Sequence, residues 1–109
     1  MSRDHKPWVY EEKDRIVENW GIIKQKICNG GSVYSPYVYT SEEDKNGLRV
    51  TRSIGNSQAK VVGVISEPDI NIYDIDENDR YLILASEPVW NQLPNSNIVQ
   101  LTHSFMIDG

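Results

Sequence analysis

The sequence has almost no cysteine, no long apolar run and no cluster of basic residues. Cys28 is the one cysteine in 109 residues, so a single chain can form neither a disulfide framework nor a zinc site built on cysteines. The longest apolar runs, residues 61–65 and 81–85, are far too short to cross a bilayer. No apolar stretch follows the N-terminal charges, as a secretory signal would require. We therefore expect an intracellular, cytoplasmic protein with no membrane partner.

Positive charge is also scarce. The chain carries 16 acidic residues and 11 basic ones, for a formal charge of -5. A net acidic chain without runs of lysine and arginine binds nucleic acid poorly, because such binding depends on neutralising phosphates. We predict no nucleic-acid partner. The length corresponds to one small domain with a modest core.

Hydrophobic periodicity predicts a helix, several strands and a second helix, in that order. Residues 11–20 place Ile16, Val17 and Trp20 on one helical face, and Gly21 follows as a stop signal. A last helix is predicted after Asn95 or Ser96, with apolar positions at Ile98, Leu101 and Phe105.

The segments between these helices favour β-structure. Strands are predicted at residues 22–27, 48–52, 61–65, 70–73 and 81–85, the last buried on both faces. Residues 33–39 are β-prone, but Pro36 favours an edge strand or an irregular loop. Turns or polar loops are predicted at residues 29–31, 41–47, 53–60 and 76–79. This order is typical of an α+β fold with a mainly antiparallel sheet.

Four motifs follow one another along the chain. They are Asp4-His5-Lys6-Pro7 before the acidic helix, Gly47-Leu48-Arg49-Val50-Thr51-Arg52-Ser53-Ile54-Gly55-Asn56, residues 63–70, and residues 79–93. The second is similar to the Gly-Leu-x-x-Ser-Arg-x-x-Gly-Asp stretch of the protein phosphatase 2C family. The fourth is similar to that family's Asp-x-Phe-Leu-Ile-Leu-Ala-Cys-Asp-Gly-Leu-Trp-Asp-x-Leu stretch. In this order, the four motifs resemble the C-terminal part of this family of metal-dependent serine/threonine phosphatases.

The resemblance implies a fold and a domain boundary. Residues 1–109 would be a partial phosphatase 2C-like domain, taken from the α-β-β-α sandwich with its mainly antiparallel sheets and flanking helices. The family's N-terminal metal and phosphate motifs have no counterpart in the sequence. Because the first motif falls in the middle of the family's domain, we expect that Met1 is not the natural start.

The resemblance also assigns the positions of a metal site, and the sequence departs from the family there. The metal-binding aspartate of the Asp-Gly-x-Trp-Asp motif corresponds to Glu87, its glycine to Pro88 and its second aspartate to Asn91. Asn56 stands where the second motif ends on aspartate. Glu87 is thus a single, degenerate candidate metal ligand, and we predict no catalytic and no phosphate-binding residue. The intact family uses Mg²⁺ or Mn²⁺, and we expect no cofactor for this chain alone.

Three functions are compatible with these residues. The first is a fragment that is inactive alone, from a pseudophosphatase with a regulatory or interaction role. The second is part of an active Mg/Mn-dependent phosphoprotein phosphatase whose other half supplies the active site. The third is a protein-binding module that uses Tyr34, Tyr37 and Tyr39. Part of a sandwich leaves strand edges uncovered, so we expect a protein partner or self-association through that surface.

Three smaller patterns have a functional and a structural interpretation. His5 could be a catalytic acid, but its motif favours a structural turn before the helix. Arg52 could bind a phosphate, although the rest of such a pocket is missing. The acidic run Asp69, Asp74, Asp76, Glu77 and Asp79 resembles a Ca²⁺ loop, yet it lacks the glycine and the terminal glutamate, which favours a solvated hairpin.

Overall fold

The structure, a computed structural model, describes residues 1–27 and 33–107, with side chains at all of these except 27, 33 and 34. The chain divides into two compact units, which are Met1–Ile72 and Tyr73–Gly109. The elements are α1 (Tyr10–Glu18), β1 (Ile22–Ile27), β2 (Val33–Tyr39), α2 (Ser57–Lys60), α3 (Glu87–Gln92) and α4 (Asn95–Ile107). Helices accompany one antiparallel strand pair, which agrees with the predicted α+β class.

The first helix forms where the periodicity predicts it. Glu11 and Glu12 lie in its first turn, where the helix dipole favours negative charge. The helix ends in a Schellman motif, in which Gly21 N–H donates to Ile16 O at 2.8 Å and Trp20 N–H to Val17 O at 3.0 Å. Trp20, with φ of 63°, takes the left-handed position that we had expected glycine to provide.

The strands β1 and β2 form an antiparallel pair. Ile22 lies opposite Tyr39, Lys24 opposite Tyr37 and Gln25 opposite Pro36, with an irregularity after Gln25. Both strands are therefore confirmed, and Pro36 is tolerated within one of them. The other side of β2 makes a single isolated bridge, from Val38 to Leu48. Pro36 therefore interrupts no continuous ladder of hydrogen bonds on that side. The turn predicted at residues 29–31 lies outside the described residues.

The core of the first unit lies between α1, the strand pair and the segment around α2. Its buried members are Ile16, Val38, Ala59, Val62 and Val64. The predicted strand at 61–65 is wrong, because residues 61–63 form a turn and only Ile65 makes a bridge, to Arg52. The strand predicted at 48–52 is likewise reduced to single bridges at its two ends.

The loops of the first unit are partly ordered by local hydrogen bonds. Thr40 and Asn46 N–H groups donate to the carboxylate of Asp44 at 3.0 and 2.9 Å, and these bonds lower the pKa of Asp44 to about 2. This confirms the loop at 41–47. The polar loop predicted at 53–60 is wrong in its second half, where α2 forms.

The strands predicted at 70–73 and 81–85 are both wrong. Ile72 and Leu84 are 91% and 86% exposed, and residues 66–75 and 80–86 are neither helix nor strand. A strand needs a hydrogen-bonded neighbour, and no other described segment pairs with these residues. Both segments have the apolar pattern of a strand, but no strand within the described residues covers them.

The second unit consists of α3 and α4 with the extended segment before them. The turn predicted at 76–79 is confirmed, since Asp79 N–H donates to Asp76 O at 3.1 Å. The last helix is confirmed as well, with Ile98 buried, but Leu101 and Phe105 are exposed rather than buried. Among the described residues, no helix is long and apolar enough to span a membrane.

Candidate functional site

A network of charged side chains ties α1 to the second and third sequence motifs. Its centre is Glu12, which is only 2% exposed. The Glu12 carboxylate accepts hydrogen bonds from Arg15 at 2.6 Å, from Arg52 at 2.5 and 3.0 Å, and from the Thr51 hydroxyl. A buried carboxylate is stabilised only when such donors replace the lost water. Glu12 therefore depends on both arginines.

Arg52 extends this network to the third motif. Its guanidinium donates to Asp69 Oδ1 at 2.8 Å and to the Glu67 carbonyl at 2.9 Å, besides its bonds to Glu12. Asp69 Oδ2 in turn lies 2.9 Å from His5 Nε2. The guanidinium is thus engaged on all three nitrogens within the protein, and its geometry favours the structural interpretation over phosphate binding.

Arg15 provides the remaining cross-links. Its Nε donates to the Gly63 carbonyl at 2.8 Å, and a terminal nitrogen donates to the Thr51 carbonyl at 3.1 Å. The Thr51 N–H donates to the His5 carbonyl at 3.1 Å. Backbone from three separate segments is therefore fixed to one side of α1. The backbone carbonyl and the imidazole Nε2 of His5 therefore both contact other residues of the chain. These contacts agree with the structural interpretation of the first motif.

The sequence contains a signal for this network that the periodicity analysis missed. Glu12 and Ile16 are four residues apart, so they share the buried face of α1. A carboxylate on the buried face of a helix demands a cation, and Arg15 lies on the next turn. The second cation is Arg52, for which the sequence motif suggests only phosphate binding as a function.

The network sets the charge state of Glu12. Burial by itself raises the pKa of this carboxyl, but the hydrogen bonds from Arg15, Arg52 and Thr51 outweigh it and hold the pKa far below its usual 4.5. The hydrogen bond from His5, followed by those of Arg52, also lowers the pKa of Asp69 despite some desolvation. Both groups are carboxylates at neutral pH, and they neutralise arginine charge.

We expect the first unit to lose stability in acid. The folded state binds a proton at Glu12 less readily than the unfolded chain does, so the stabilisation is complete above pH 4.5 and declines as pH falls toward the folded pKa. Carboxyl carbon chemical shifts followed by NMR should show no titration of Glu12 from pH 7 to 4. A Glu12 midpoint near 4.5 would contradict the network.

The candidate metal position lies on a helix rather than at a strand end. Glu87 is the first residue of α3, and Pro88 occupies its first turn. Proline is favoured there because the first amides of a helix need no internal partner, and an acid at that end is stabilised by the helix dipole. Asn91 follows one turn later on the same helix, and it is exposed.

These residues do not fit the Mg²⁺ or Mn²⁺ pair that the family implies. Hard divalent ions require several oxygen ligands, with carboxylates supplying the charge. Glu87 is accompanied by the neutral amide of Asn91. Within the described ranges 1–27 and 33–107, no three histidine, cysteine, aspartate or glutamate side chains come together as a possible metal site. Glu87 itself interacts with other residues of the chain.

Asn56 has a local structural role. It adopts φ of 55° and ψ of 64°, and its side chain accepts from the Ala59 N–H at 3.4 Å as the N-cap of α2. Asparagine tolerates the left-handed conformation and is among the best N-cap residues. Aspartate would cap equally well, so the change from the family pattern at this position leaves α2 intact.

The tyrosines of the predicted binding loop lie on a strand. Tyr39 is 4% exposed and belongs to the buried part of the first unit, whereas Tyr37 is half-buried. The side chain of Tyr34 lies outside the described residues. The loop interpretation is therefore wrong in its geometry, and Tyr37 and Tyr39 instead line one face of β2.

A family model described as Protein phosphatase 2C matches residues 1–109. The chain belongs to the protein phosphatase 2C family. No solved structure matches it.

Curated relatives agree with this family. The chain is 30% identical over 111 residues to "Probable protein phosphatase 2C 11" of Oryza sativa subsp. japonica, covering 94% of the chain and 26% of the relative. It is 32% identical over 104 residues to "Probable protein phosphatase 2C 48" of the same plant, covering 95% and 29%. Over 67 residues it is 39% identical to "Probable protein phosphatase 2C 6" of Arabidopsis thaliana, covering 62% and 14%. The chain thus spans less than a third of the length of these relatives.

Proposed function

We propose that this chain is a non-catalytic part of a protein phosphatase 2C-like domain, with a role in binding another protein. It does not hydrolyse phosphoesters alone. The observation that carries the proposal is the geometry of the metal motif, where Glu87 opens α3 and an amide follows one turn later. The parent protein is then a pseudophosphatase, with a regulatory or interaction role.

The chemistry of the family explains why this geometry matters. Two divalent ions act on the phosphate and on a bridging water that becomes the nucleophile. Several carboxylates must balance the charge of the ions and define their octahedral geometry. In the first unit, Glu12 and Asp69 are already bonded to arginines. Their negative charge therefore neutralises arginine side chains within the fold.

Support for an interaction role comes from the uncovered apolar residues. Ile70, Ile72, Leu82 and Leu84 are all more than two-thirds exposed, in segments without strand partners. Exposed apolar surface of this kind marks a contact with further polypeptide, which the remainder of the domain or another protein can supply. A protein partner, or a second copy of the chain, would bury these side chains. Neither nucleic acid nor membrane is proposed as a partner.

The direct test is hydrolysis of p-nitrophenyl phosphate with Mn²⁺ or Mg²⁺. We expect no turnover above the metal-free control. Line broadening of amide NMR signals by Mn²⁺ should be no stronger at Glu87 and Asn91 than at the exposed acids Glu18 and Glu67. These two readouts separate a chain that does not bind metal from one that binds metal without reacting.

A positive result would need a matched variant for its interpretation. Glu87→Gln preserves the size of the side chain and removes only the charge. Metal-dependent turnover that disappears in Glu87→Gln would overturn the proposal, because the chain would then assemble a site of its own. Turnover that survives in Glu87→Gln comes from a contaminating phosphatase.

The second candidate is part of an active Mg/Mn-dependent phosphoprotein phosphatase. It is favoured by the relatives, which carry phosphatase names and are several times longer than this chain. In that case, Mn²⁺-dependent turnover should arise when a polypeptide with the N-terminal motifs of the family is added. Loss of that turnover in Glu87→Gln would assign Glu87 to the completed metal site.

A further inference from the structure

Three cations gather around two tyrosines on one face of the strand pair. Lys24 Nζ lies 4.8 Å from the centre of the Tyr39 ring, and Lys26 Nζ lies 5.5 Å from that of Tyr37. The Arg49 guanidinium carbon lies 6.0 Å from the Tyr37 ring on its other side. We name these five residues the basic patch. In a chain with a formal charge of -5, this is a local reversal of sign.

The backbone fixes the spacing of these charges. Lys24 and Lys26 are two residues apart on β1, and despite the irregularity after Gln25 they reach the rings of Tyr39 and Tyr37 on one face of β2. Lys24 lies opposite Tyr37, and the bridge between Val38 and Leu48 brings Arg49 to the far side of β2. The cations are thus spread over about 10 Å across the strands, given the usual strand spacing.

Spread charges of this kind suit an extended acidic peptide better than a single anion. A free phosphate is bound by donors that converge on one point, as they do at a helix N-terminus or an arginine fork. In an extended peptide, alternate side chains point to one face, as Lys24 and Lys26 do on β1. The half-buried Tyr37 ring supplies an apolar surface beside Lys26 and Arg49.

The patch already binds one carboxylate of the chain itself. Glu42, on the loop after β2, pairs with Lys24 at 3.0 Å and is largely exposed. An exposed pair of this type is weak, so a carboxylate of a partner can displace it. Glu42 then acts as a competitor for the patch.

We propose that the basic patch docks an extended segment of a partner protein in which every second residue is acidic. In the described sheet, β1 has β2 as its neighbour on one side only, so the partner segment can lie along the other edge of β1. Lysines on an edge strand make pairing with neutral or basic strands unfavourable. An acidic strand is therefore the complementary partner. This proposal names the surface for the interaction role, on which it rests, and it is independent of metal binding and turnover.

The test is fluorescence anisotropy with a labelled peptide of alternating glutamate and threonine. We expect saturable, salt-sensitive binding to the chain and none with the glutamine version of the peptide. The triple variant Lys24→Gln, Lys26→Gln, Arg49→Gln should weaken binding about tenfold, as the loss of exposed ion pairs predicts. Glu42→Gln should tighten binding about twofold for the same reason.

The matched control removes the same charge elsewhere. The variant Arg3→Gln, Lys13→Gln, Arg80→Gln changes three exposed cations outside the patch, and it should bind the peptide about as well as the unmodified chain. Amide NMR spectra of both triple variants check that they fold. Absence of binding by the unmodified chain, or equal weakening in both triple variants, would overturn the proposal.

Two further arms distinguish other occupants. Displacement of the peptide by millimolar inorganic phosphate, at constant ionic strength, would show a single-anion site and overturn the docking proposal. Sedimentation of the chain alone tests a second copy as the occupant, and self-association abolished by the patch variant would also overturn it. Normal peptide binding with no phosphatase turnover would support both proposals. Loss of peptide binding alone would leave the proposed lack of catalysis intact.

Discussion

Replacing Glu12 by glutamine should cost about 3–5 kcal/mol of the free energy of unfolding of the first unit. The change keeps the size of the side chain and removes its charge. Arg15 and Arg52, which now donate to the carboxylate, would face a neutral amide, and Arg52 would keep its ion pair with Asp69. A partly buried cation that loses an anion is destabilising, because it has already given up hydration. Such a loss is a large share of the stability of a small domain.

The matched control for this prediction is Glu11→Gln. Glu11 is on the same turn of α1 and pairs with Arg3, but both side chains are mostly exposed, so its loss should cost far less than that of Glu12. Urea unfolding followed by the amide NMR signals of Ile16 and Val64 measures both variants on the first unit. Equal losses in the two variants would show that Glu12 makes no buried charge network.

Replacing Gly63 by alanine should destabilise the first unit by about 2–4 kcal/mol. Gly63 has φ of 84°, a conformation that strains any residue with a Cβ. An added Cβ would also lie 2.9 Å from the Arg15 carbonyl and 3.2 Å from the Asn19 side chain. The close approach is required because the Gly63 carbonyl accepts the Arg15 hydrogen bond. The substitution therefore pushes α1 away from the segment that anchors it.

Gly55→Ala separates the two parts of this cost. Gly55 has a similar φ of 75°, but nothing lies within 4 Å of the position of an added Cβ. Its substitution should show the conformational strain alone, about 1–2 kcal/mol. The same urea experiment gives the difference between the variants, which measures the contact with α1. If both alanines cost the same, the close approach of Gly63 to α1 contributes nothing to stability.

The local elements could be predicted where the chain itself supplies their stabilisation. The first helix lies where it was predicted, but only Ile16 of its three apolar face residues is buried, since Val17 and Trp20 are exposed. The strand β1 pairs with β2 over a short connection. The last helix includes the buried Ile98, but it already begins at Asn95, so neither Asn95 nor Ser96 is its cap. Each of these depends on interactions between residues that are near in sequence or share one face, and a pattern in the sequence records them.

The strands at 70–73 and 81–85 could not be predicted correctly for a physical reason. Alternating or continuous apolar residues indicate that a segment can be buried. Strand pairing also requires a second segment whose backbone N–H and C=O groups are available for hydrogen bonds. In the described chain, no such neighbour meets Ile72 or Leu84. Similarly, Glu12 was missed because its partner Arg52 is 40 residues away, and no periodicity reports such a distance.

The metal motif illustrates the limit of reading a site by position alone. Its correspondence to the family identified Glu87, Pro88 and Asn91 as altered positions, and the structure places them together on α3. Their helical geometry is favoured by the proline and the acid in the first turn. The role of Asn56 as a helix cap was likewise invisible, since asparagine and aspartate are interchangeable there.

The anchoring of α1 through Arg15 has a consequence for the order in which a ribosome makes the chain. The helix has 9 residues, too few to persist alone in water, and its anchor points at Thr51 and Gly63 are 36 and 48 residues further along. At about 5–20 residues per second, α1 waits roughly 2–10 s after its own synthesis before Gly63 exists. During that interval Glu12 is a hydrated carboxylate on an unfolded segment, and it becomes buried only when both arginines can accompany it.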